Sequence, residues 1–178
     1  MKHARGFTFI ELIIVVFIIG VLSAIIVPQL STDGLQDREA ALRARLNALR
    51  QAIYQYEAEH GEYPGVNATV ASSCSGTTYE AGTTERGFWL QLQMYSNVEG
   101  QVCSKQDEGA FPFGPYIQTS GALKNPVNGS DHVTVISGGS YTIVADGPNR
   151  GWKYDNVVGV IIPNDESEDS LGNRYDSY

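Results

Sequence analysis

Residues 12–27 carry no charge, and one carboxylate, Glu11, stands at their head behind a short basic stretch, Lys2-His3-Ala4-Arg5-Gly6. About 20 apolar residues suffice for a helix to cross the hydrocarbon core of a bilayer. An acid inside such a helix costs about 2.5 to 3.5 kcal/mol at its centre and less near its end, so Glu11 calls for compensation. An ordinary secretory signal peptide fits poorly. The apolar run exceeds an h-region of about 7 to 15 residues, it contains Glu11, and Leu22-Ser23-Ala24 puts a bulky side chain where A-x-A needs a small one. A plain signal anchor, with Glu11 snorkelling to the interface, is a second reading. A third starts at the Gly6-Phe7 boundary, where cleavage would create an amine one helical turn from Glu11. An equivalent amine on a neighbouring chain would pair with Glu11 and neutralise it on assembly.

The string Arg5-Gly6-Phe7-Thr8-Phe9-Ile10-Glu11-Leu12-Ile13 resembles the processing motif of type IV pilins and type II secretion pseudopilins. The resemblance implies a leader of residues 1–6, cleavage after Gly6 by a prepilin peptidase, N-methylation of Phe7, and a requirement for Glu11 in subunit incorporation. Phe9 replaces a frequent Leu, an apolar-for-apolar change. Ala24-Ile25-Ile26-Val27-Pro28-Gln29-Leu30 is similar to the proline-bearing end of the membrane helix in major subunits. Ala52-Ile53-Tyr54-Gln55-Tyr56 and Gly61-Glu62-Tyr63-Pro64 resemble the helix exit of the major pseudopilin.

The chain has 178 residues, room for one anchor and one modest head. Lys2 and Arg5 precede the apolar run while Asp33 and Asp37 follow it, which predicts a cytoplasmic N-terminus and an exported head; the resemblance implies a single pass through the bacterial inner membrane and a periplasmic head. The formal net charge is −8, and loss of Lys2 and Arg5 would make it more acidic. Nucleic-acid binding needs a clustered basic face, whereas Arg38, Arg43, Arg45 and Arg50 are interleaved with Asp37 and Glu39. No nucleic-acid partner is expected. Cys74 and Cys103 are consistent with an oxidising compartment and one disulfide.

Pro28 interrupts the apolar helix where it removes a backbone donor and favours a kink or local melting, a release point during assembly. Beyond it Leu35, Leu42, Leu49 and Tyr56 recur every seventh residue with Leu46 and Ile53 between them, the apolar stripe of a helix that covers a head-domain core. Glu39 breaks the stripe and argues against a long coiled coil. His60, Gly61 and Pro64 supply the stop. A helix from Phe7 to about His60 would run roughly 80 Å.

Residues 66–86 have a Ser, Thr, Gly and Ala loop composition, and residues 87–95 read as either helix or strand. The Gly138-Gly139 pair between β-branched runs predicts a hairpin of residues 132–137 and 141–145, with further strands at 152–154 and 157–162 and a turn at Asp155-Asn156. The expected fold is α+β and type IV pilin-like: a long N-terminal helix, its first half transmembrane, on a small antiparallel sheet. The expected segments are the leader 1–6, an anchor and filament-core helix 7–30, an amphipathic helix half 31–61, a loop-rich region 62–130, and a sheet with an acidic tail 131–178.

Asp165, Glu168, Asp169 and Asp176 make the tail acidic. Major pseudopilins are usually cysteine-free and bind calcium in a C-terminal loop, and oxygen-rich clusters suit that ion. The spacing here is not that of an EF-hand, and a solvated acidic tail is the preferred reading. His3, His60 and His132 are scattered, and no HExxH, GxSxG, P-loop or CxxC occurs, so no enzyme and no required cofactor is expected. Asn67-Ala68-Thr69 and Asn128-Gly129-Ser130 match glycosylation sequons and carry little weight.

The function expected from the resemblance is a structural subunit of a type II secretion pseudopilus that drives protein export. Its partners would be copies of itself, the prepilin peptidase, the inner-membrane assembly platform and minor pilins or pseudopilins. A surface type IV pilus is the alternative within the family. A monomeric membrane-anchored binding domain is the alternative of another class.

Overall fold

The computed structural model describes residues 8–66, 74, 84–119 and 121–178, without the side chains of residues 23–33. The predicted leader, the Gly6-Phe7 junction, the Asn67 sequon and most of the Ser/Thr-rich stretch therefore lie outside the described residues. The chain divides into two units, residues 1–38 and residues 39–178.

Helix α1 spans Phe9–His60. In the first unit the described side chains of residues 8–22 are all exposed, with Phe9 at 80 % and Phe17 at 70 %. Pro28 falls within the helix, in the stretch whose side chains are outside the description. Among the described residues no helix is long and apolar enough to cross a membrane.

The second unit is an α+β head. The α1 stripe buries Leu42, Leu46, Leu49, Ile53 and Tyr56, each at 2 % exposure or less. Full burial of one such aliphatic side chain contributes about 1.5 to 3 kcal/mol, so these side chains are the foundation on which the head packs. Leu35, expected to continue the stripe, is instead exposed at 41 %, because it precedes the head unit and has no core to cover. Gly61 ends α1 at φ +73°, its N–H still donating to the Glu57 carbonyl at 2.8 Å.

Residues left open between helix and strand form helix α2 (Thr84–Gln93), whose residues 87–92 are all buried. Phe88 packs on Tyr154 with ring centroids 4.6 Å apart. A short antiparallel pair follows, β1 (Tyr95–Ser96) with β2 (Val102–Cys103). The main sheet has the order β3 (Val133–Ile136), β4 (Trp152–Asp155) and β5 (Val160–Pro163). Every residue of β4 is buried, as expected of a central strand covered on both faces. Glu85 of α2 accepts from the Val133 N–H at 3.2 Å and pairs with His132 at 2.9 Å, helping to cover the start of the edge strand β3.

The predicted hairpin at Gly138-Gly139 does not form. β3 pairs in parallel with β4, in the register Val133↔Trp152 to Ile136↔Asp155, and only β4 and β5 are antiparallel, so the sheet is mixed. Residues 137–151 are the crossover. Their polar backbone groups are taken by side chains: Ser140 N–H donates to Asp155 Oδ2, Lys153 Nζ to the Val144 carbonyl, and Ala145 N–H to Asp176 Oδ2. Tyr141 and Val144 remain 78 % and 67 % exposed, so the β-branched run has no apolar surface to cover and gains nothing from strand pairing. The Asp155-Asn156 turn does form between β4 and β5, with Asp155 Oδ1 accepting from Val157 N–H at 2.9 Å, and β5 begins at Val160 rather than Val157.

Gly151 opens β4 at φ +81°, and a Cβ there would stand 2.3 Å from the His132 carbonyl oxygen. The Gly151→Ala variant should therefore lose at least about 2 kcal/mol of head stability, the sum of a left-handed backbone penalty and a backbone clash. Urea unfolding of the two proteins followed by tryptophan fluorescence measures this; an unchanged midpoint would contradict the assigned close approach.

Candidate functional site

The first candidate element is the start of α1. Thr8 main-chain N–H and Thr8 Oγ1 both donate to Glu11 Oε2 at 2.8 Å, and Glu11 N–H lies 3.3 Å from Thr8 Oγ1. This is a capping box, in which the residue before the helix and the third residue within it satisfy each other's polar groups. Compensation for Glu11 thus exists within the chain, before any neighbouring amine is considered. The T-x-x-E spacing of Thr8 and Glu11 was the sequence signal for it. Gly6 and Phe7 lie outside the described residues, and so does the side chain of Pro28.

Cys74 and Cys103 form the expected disulfide, with Cα atoms 5.8 Å apart across a separation of 29 residues. A loop of that size is stabilised by about 3 to 4 kcal/mol in the chain-entropy account. Cys103 is fully buried and packs with Phe111, so the bridge ties residue 74 to the β1–β2 region.

The four acids proposed from sequence do not converge. Among the described residues no group of three or more His, Cys, Asp or Glu is placed to hold a metal ion. Asp165 Oδ2 accepts from Asn128 Nδ2 at 2.8 Å and from Asn149 N–H, while its Oδ1 accepts from Ser167 N–H. Asp169 Oδ1 accepts from the Leu171 and Asn173 N–H groups at 2.8 Å, and its Oδ2 from the Tyr178 hydroxyl at 2.7 Å. Asp176 takes the Arg174 guanidinium on both oxygens, at 3.0 and 2.7 Å. Glu168 is exposed and contributes a main-chain bridge to Arg174. These oxygens face N–H and O–H donors and two guanidinium groups, a set that does not fit a calcium ion, which needs 6 to 8 oxygen ligands.

The segment is a solvated tail only in part: Glu166 and Glu168 are exposed, as the sequence suggested, but two other acids are not. Asp165 and Asp169 are 1 % and 6 % exposed, because short acidic side chains organise turns by accepting from N–H groups two residues on. The segment is held to α1 by residues that sequence reasoning passed over. Glu39, the residue that breaks the apolar stripe, is 6 % exposed and accepts from Ser170 N–H and Ser170 Oγ, both at 2.8 Å. One turn later Arg43 donates to Asp169 Oδ2 at 3.4 Å and to the Tyr178 hydroxyl at 2.8 Å. Arg50 reaches the carbonyls of Ile161 and Tyr178 at 3.2 and 2.9 Å. Spacing of Glu39, Arg43 and Arg50 by four and seven residues places them along one helix face, the available signal for a polar seam.

The electrostatics follow from these donors. The Tyr178 hydroxyl, outweighing the opposing effect of burial, joins Asn173 and Leu171 in holding the Asp169 carboxyl well below the usual carboxylate range. Burial alone would raise Asp165, but Asn128, Ser167 and Asn149 outweigh it and lower it. Arg174 does the same for Asp176. A carboxyl depressed in the folded state adds stability above its unfolded pKa, about 3.9, and loses it as pH falls toward the folded value. Head stability should therefore drop between about pH 5 and pH 3. In the Asp169→Asn variant stability should be lower at pH 7 and the drop shallower, as read from urea midpoints at pH 7, 5 and 3.

With this geometry in view, comparison with known proteins is informative. Residues 1–27 match the family described as Prokaryotic N-terminal methylation motif. The chain is 32 % identical over 125 residues to the Type IV wide pilus major component PilA4 of Thermus thermophilus, covering 67 % of this chain and 95 % of that protein. It is 32 % identical over 96 residues to the Type II secretion system core protein G of Klebsiella pneumoniae, covering 52 % of this chain and 68 % of that one. A Fimbrial protein of Neisseria meningitidis serogroup B is 32 % identical over 108 residues, a match spanning 57 % of this chain and 62 % of the relative's length. No solved structure matches the chain. Proteins of this kind are structural subunits, not enzymes. By the motif, the long helix and its match along nearly the whole of a pilus component, the chain belongs to the type IV pilin and pseudopilin family.

Proposed function

We propose that this chain is cut between Gly6 and Phe7, methylated on Phe7, held in the inner membrane by its apolar helix, and polymerised into a helical filament. The observation that carries the reading is the exposed surface of residues 9–22, apolar throughout except for Glu11 and the small Gly20. A contiguous apolar surface of that kind is not stable in water. Lipid satisfies it before assembly, and the same helices of neighbouring copies satisfy it afterwards. The capping box supports the proposal because Thr8 and Glu11 both lie beyond the proposed cut. Thr8 keeps its amide N–H when Phe7 becomes the terminus, so Glu11 is compensated in the membrane, and among the described residues its second oxygen has no partner and is open to a neighbour's amine.

Within this reading a surface type IV pilus is favoured over the pseudopilus expected from sequence. The match covers 95 % of a type IV pilus major component. The Cys74–Cys103 bridge and the acids' fit to N–H donors rather than calcium both depart from the major pseudopilin pattern. The pseudopilus is the second reading, supported by the core protein G match and the helix exit Gly61-Glu62-Tyr63-Pro64.

Mass spectrometry of the mature protein should show an N-terminal methylated Phe7; an intact Met1 would sink the proposal. Glu11→Ala should still enter the membrane but reduce filament incorporation at least tenfold, measured as the sheared-filament fraction against total subunit. Electron microscopy of cells at native expression should show filaments projecting from the surface; filaments confined to the periplasm favour the pseudopilus.

A further inference from the structure

An unassigned cleft flanks the exit of α1. Two cavities of about 390 and 540 Å³ lie on either side of a ridge made by Glu62 and Tyr63, which line both. The smaller is completed by His60, Val98 and Glu99, the larger by Glu57, Val66 and Val157. No lysine or arginine lines either cavity among the described residues.

The walls are fixed in advance. Buried Gln91 accepts from the Gly65 N–H at 2.6 Å and donates to the Gly100 carbonyl at 3.0 Å, tying one wall to the other. Asn156 donates to the Gly65 carbonyl at 3.3 Å. Asn97 Oδ1 accepts from Glu99 and Gln101 N–H groups, which locks the turn that presents Val98 and Glu99. The Tyr63 ring lies directly against Gly159, where a Cβ would stand 2.3 Å from a ring carbon. A cleft tied in this way loses little conformational freedom when it is filled.

The rim is unusually apolar for an acidic head. Val98, Val157 and Val66 are 67 %, 54 % and 45 % exposed. Tyr54 and Tyr141, 57 % and 78 % exposed, are near enough to Tyr63 to act on its hydroxyl, whose pKa is raised first by burial, then by Glu57 and these two tyrosines. Val144 and Leu171 are the other large, highly exposed apolar side chains of the head among the described residues. Clustering of exposed tyrosine and valine marks contact surface. Burial, opposed by the Tyr56 carbonyl and Glu59, keeps His60 below its ordinary pKa, so its ring adds no positive charge at neutral pH. Glu57, Glu62 and Glu99 therefore set the field, and the carbonyl end of α1 adds to it.

We propose that this cleft is a docking site for an extended basic segment of a partner protein, with lysine or arginine side chains two residues apart, one in each lobe beside the Glu62–Tyr63 ridge. Alternate side chains of an extended strand project to one face about 7 Å apart, so cations two residues apart both face the cleft, whereas adjacent ones point to opposite sides. A cation over the Tyr63 face that Gly159 leaves open gains from the ring as well as from the carboxylates. The valines receive the apolar residues between the cations.

The test uses the full mature chain in a nonionic detergent at pH 7.5, with fluorescein-labelled acetyl-Val-Lys-Val-Lys-Val-amide as probe and fluorescence anisotropy as readout. Saturable binding is expected, at least fivefold tighter than for a peptide with adjacent lysines and absent for the glutamate counterpart. The Glu57→Gln/Glu99→Gln double variant removes one carboxylate from each lobe and should weaken binding at least fivefold, while Glu108→Gln, an exposed acid outside both lobes, should stay within twofold. Near-UV circular dichroism matching the parent shows that the double variant is folded. No saturable binding, indifference to lysine spacing, or an unaffected double variant each overturns the proposal. So does sedimentation showing that the double substitution dissociates a self-associated chain, since the occupant would then be a second copy.

Discussion

The head depends on one seam, the α1 stripe of Leu42, Leu46, Leu49, Ile53 and Tyr56 that lies beneath α2 and the mixed sheet. These side chains form one cluster with Phe88, Trp152 and Tyr154, so helix, second helix and central strand are buried by the same contacts. Interiors are packed at crystal-like density, and a residue cannot leave such a cluster without exposing its neighbours. Loop groups meet several of the buried polar atoms beside that seam. Trp152 donates its indole N–H to the Leu123 carbonyl at 2.7 Å, and Asn125 spans from its own turn to the Gly151 carbonyl at 3.0 Å. The loops thus satisfy buried donors and acceptors that the short sheet leaves open.

Beside the apolar seam runs a polar one. Glu39, Arg43 and Arg50 bind the segment 161–178 through its backbone and its acids. Glu39 is a buried carboxylate with hydrogen-bond donors from Ser170, an arrangement that is costly to break because an unsatisfied buried acceptor loses about 1 to 3 kcal/mol or more when charged. The same logic separates the acids of this segment from a metal site. A carboxylate already surrounded by N–H groups has its lone pairs occupied, and a cation would have to displace them.

The two units meet opposite physical demands. Residues 9–22 satisfy their backbone within the helix and present apolar side chains outward, which suits lipid or identical neighbours. The head does the reverse, keeping its apolar side chains inside and burying acids such as Glu39, Asp165 and Asp169 only against hydrogen-bond donors. In a polymer, the first arrangement makes the shared core and the second makes the surface by which one filament differs from another. The cleft at the α1 exit belongs to that surface.

Local sequence determined what depends on near neighbours. The uncharged run behind Glu11, the seven-residue stripe and the Gly61–Pro64 stop follow from helical periodicity and backbone chemistry, and so α1, its buried face and the family were readable. The Thr8–Glu11 capping box was equally local, but its T-x-x-E spacing was passed over in favour of an amine on a neighbouring chain. The Cys74–Cys103 bridge was readable because no other cysteine competes. Only the tertiary structure decided the path of residues 137–151. A Gly-Gly pair between β-branched runs is a sound hairpin signal, but Lys153, Asp155 and Asp176 capture that backbone from positions no local pattern connects. It also decided the fate of the acids: Asp165 and Asp169 look like a solvated tail until Asn128, Asn149 and Tyr178 are brought against them. Hydrogen bonds between residues distant in sequence are set by packing, because the donor's position is known only once the core has closed.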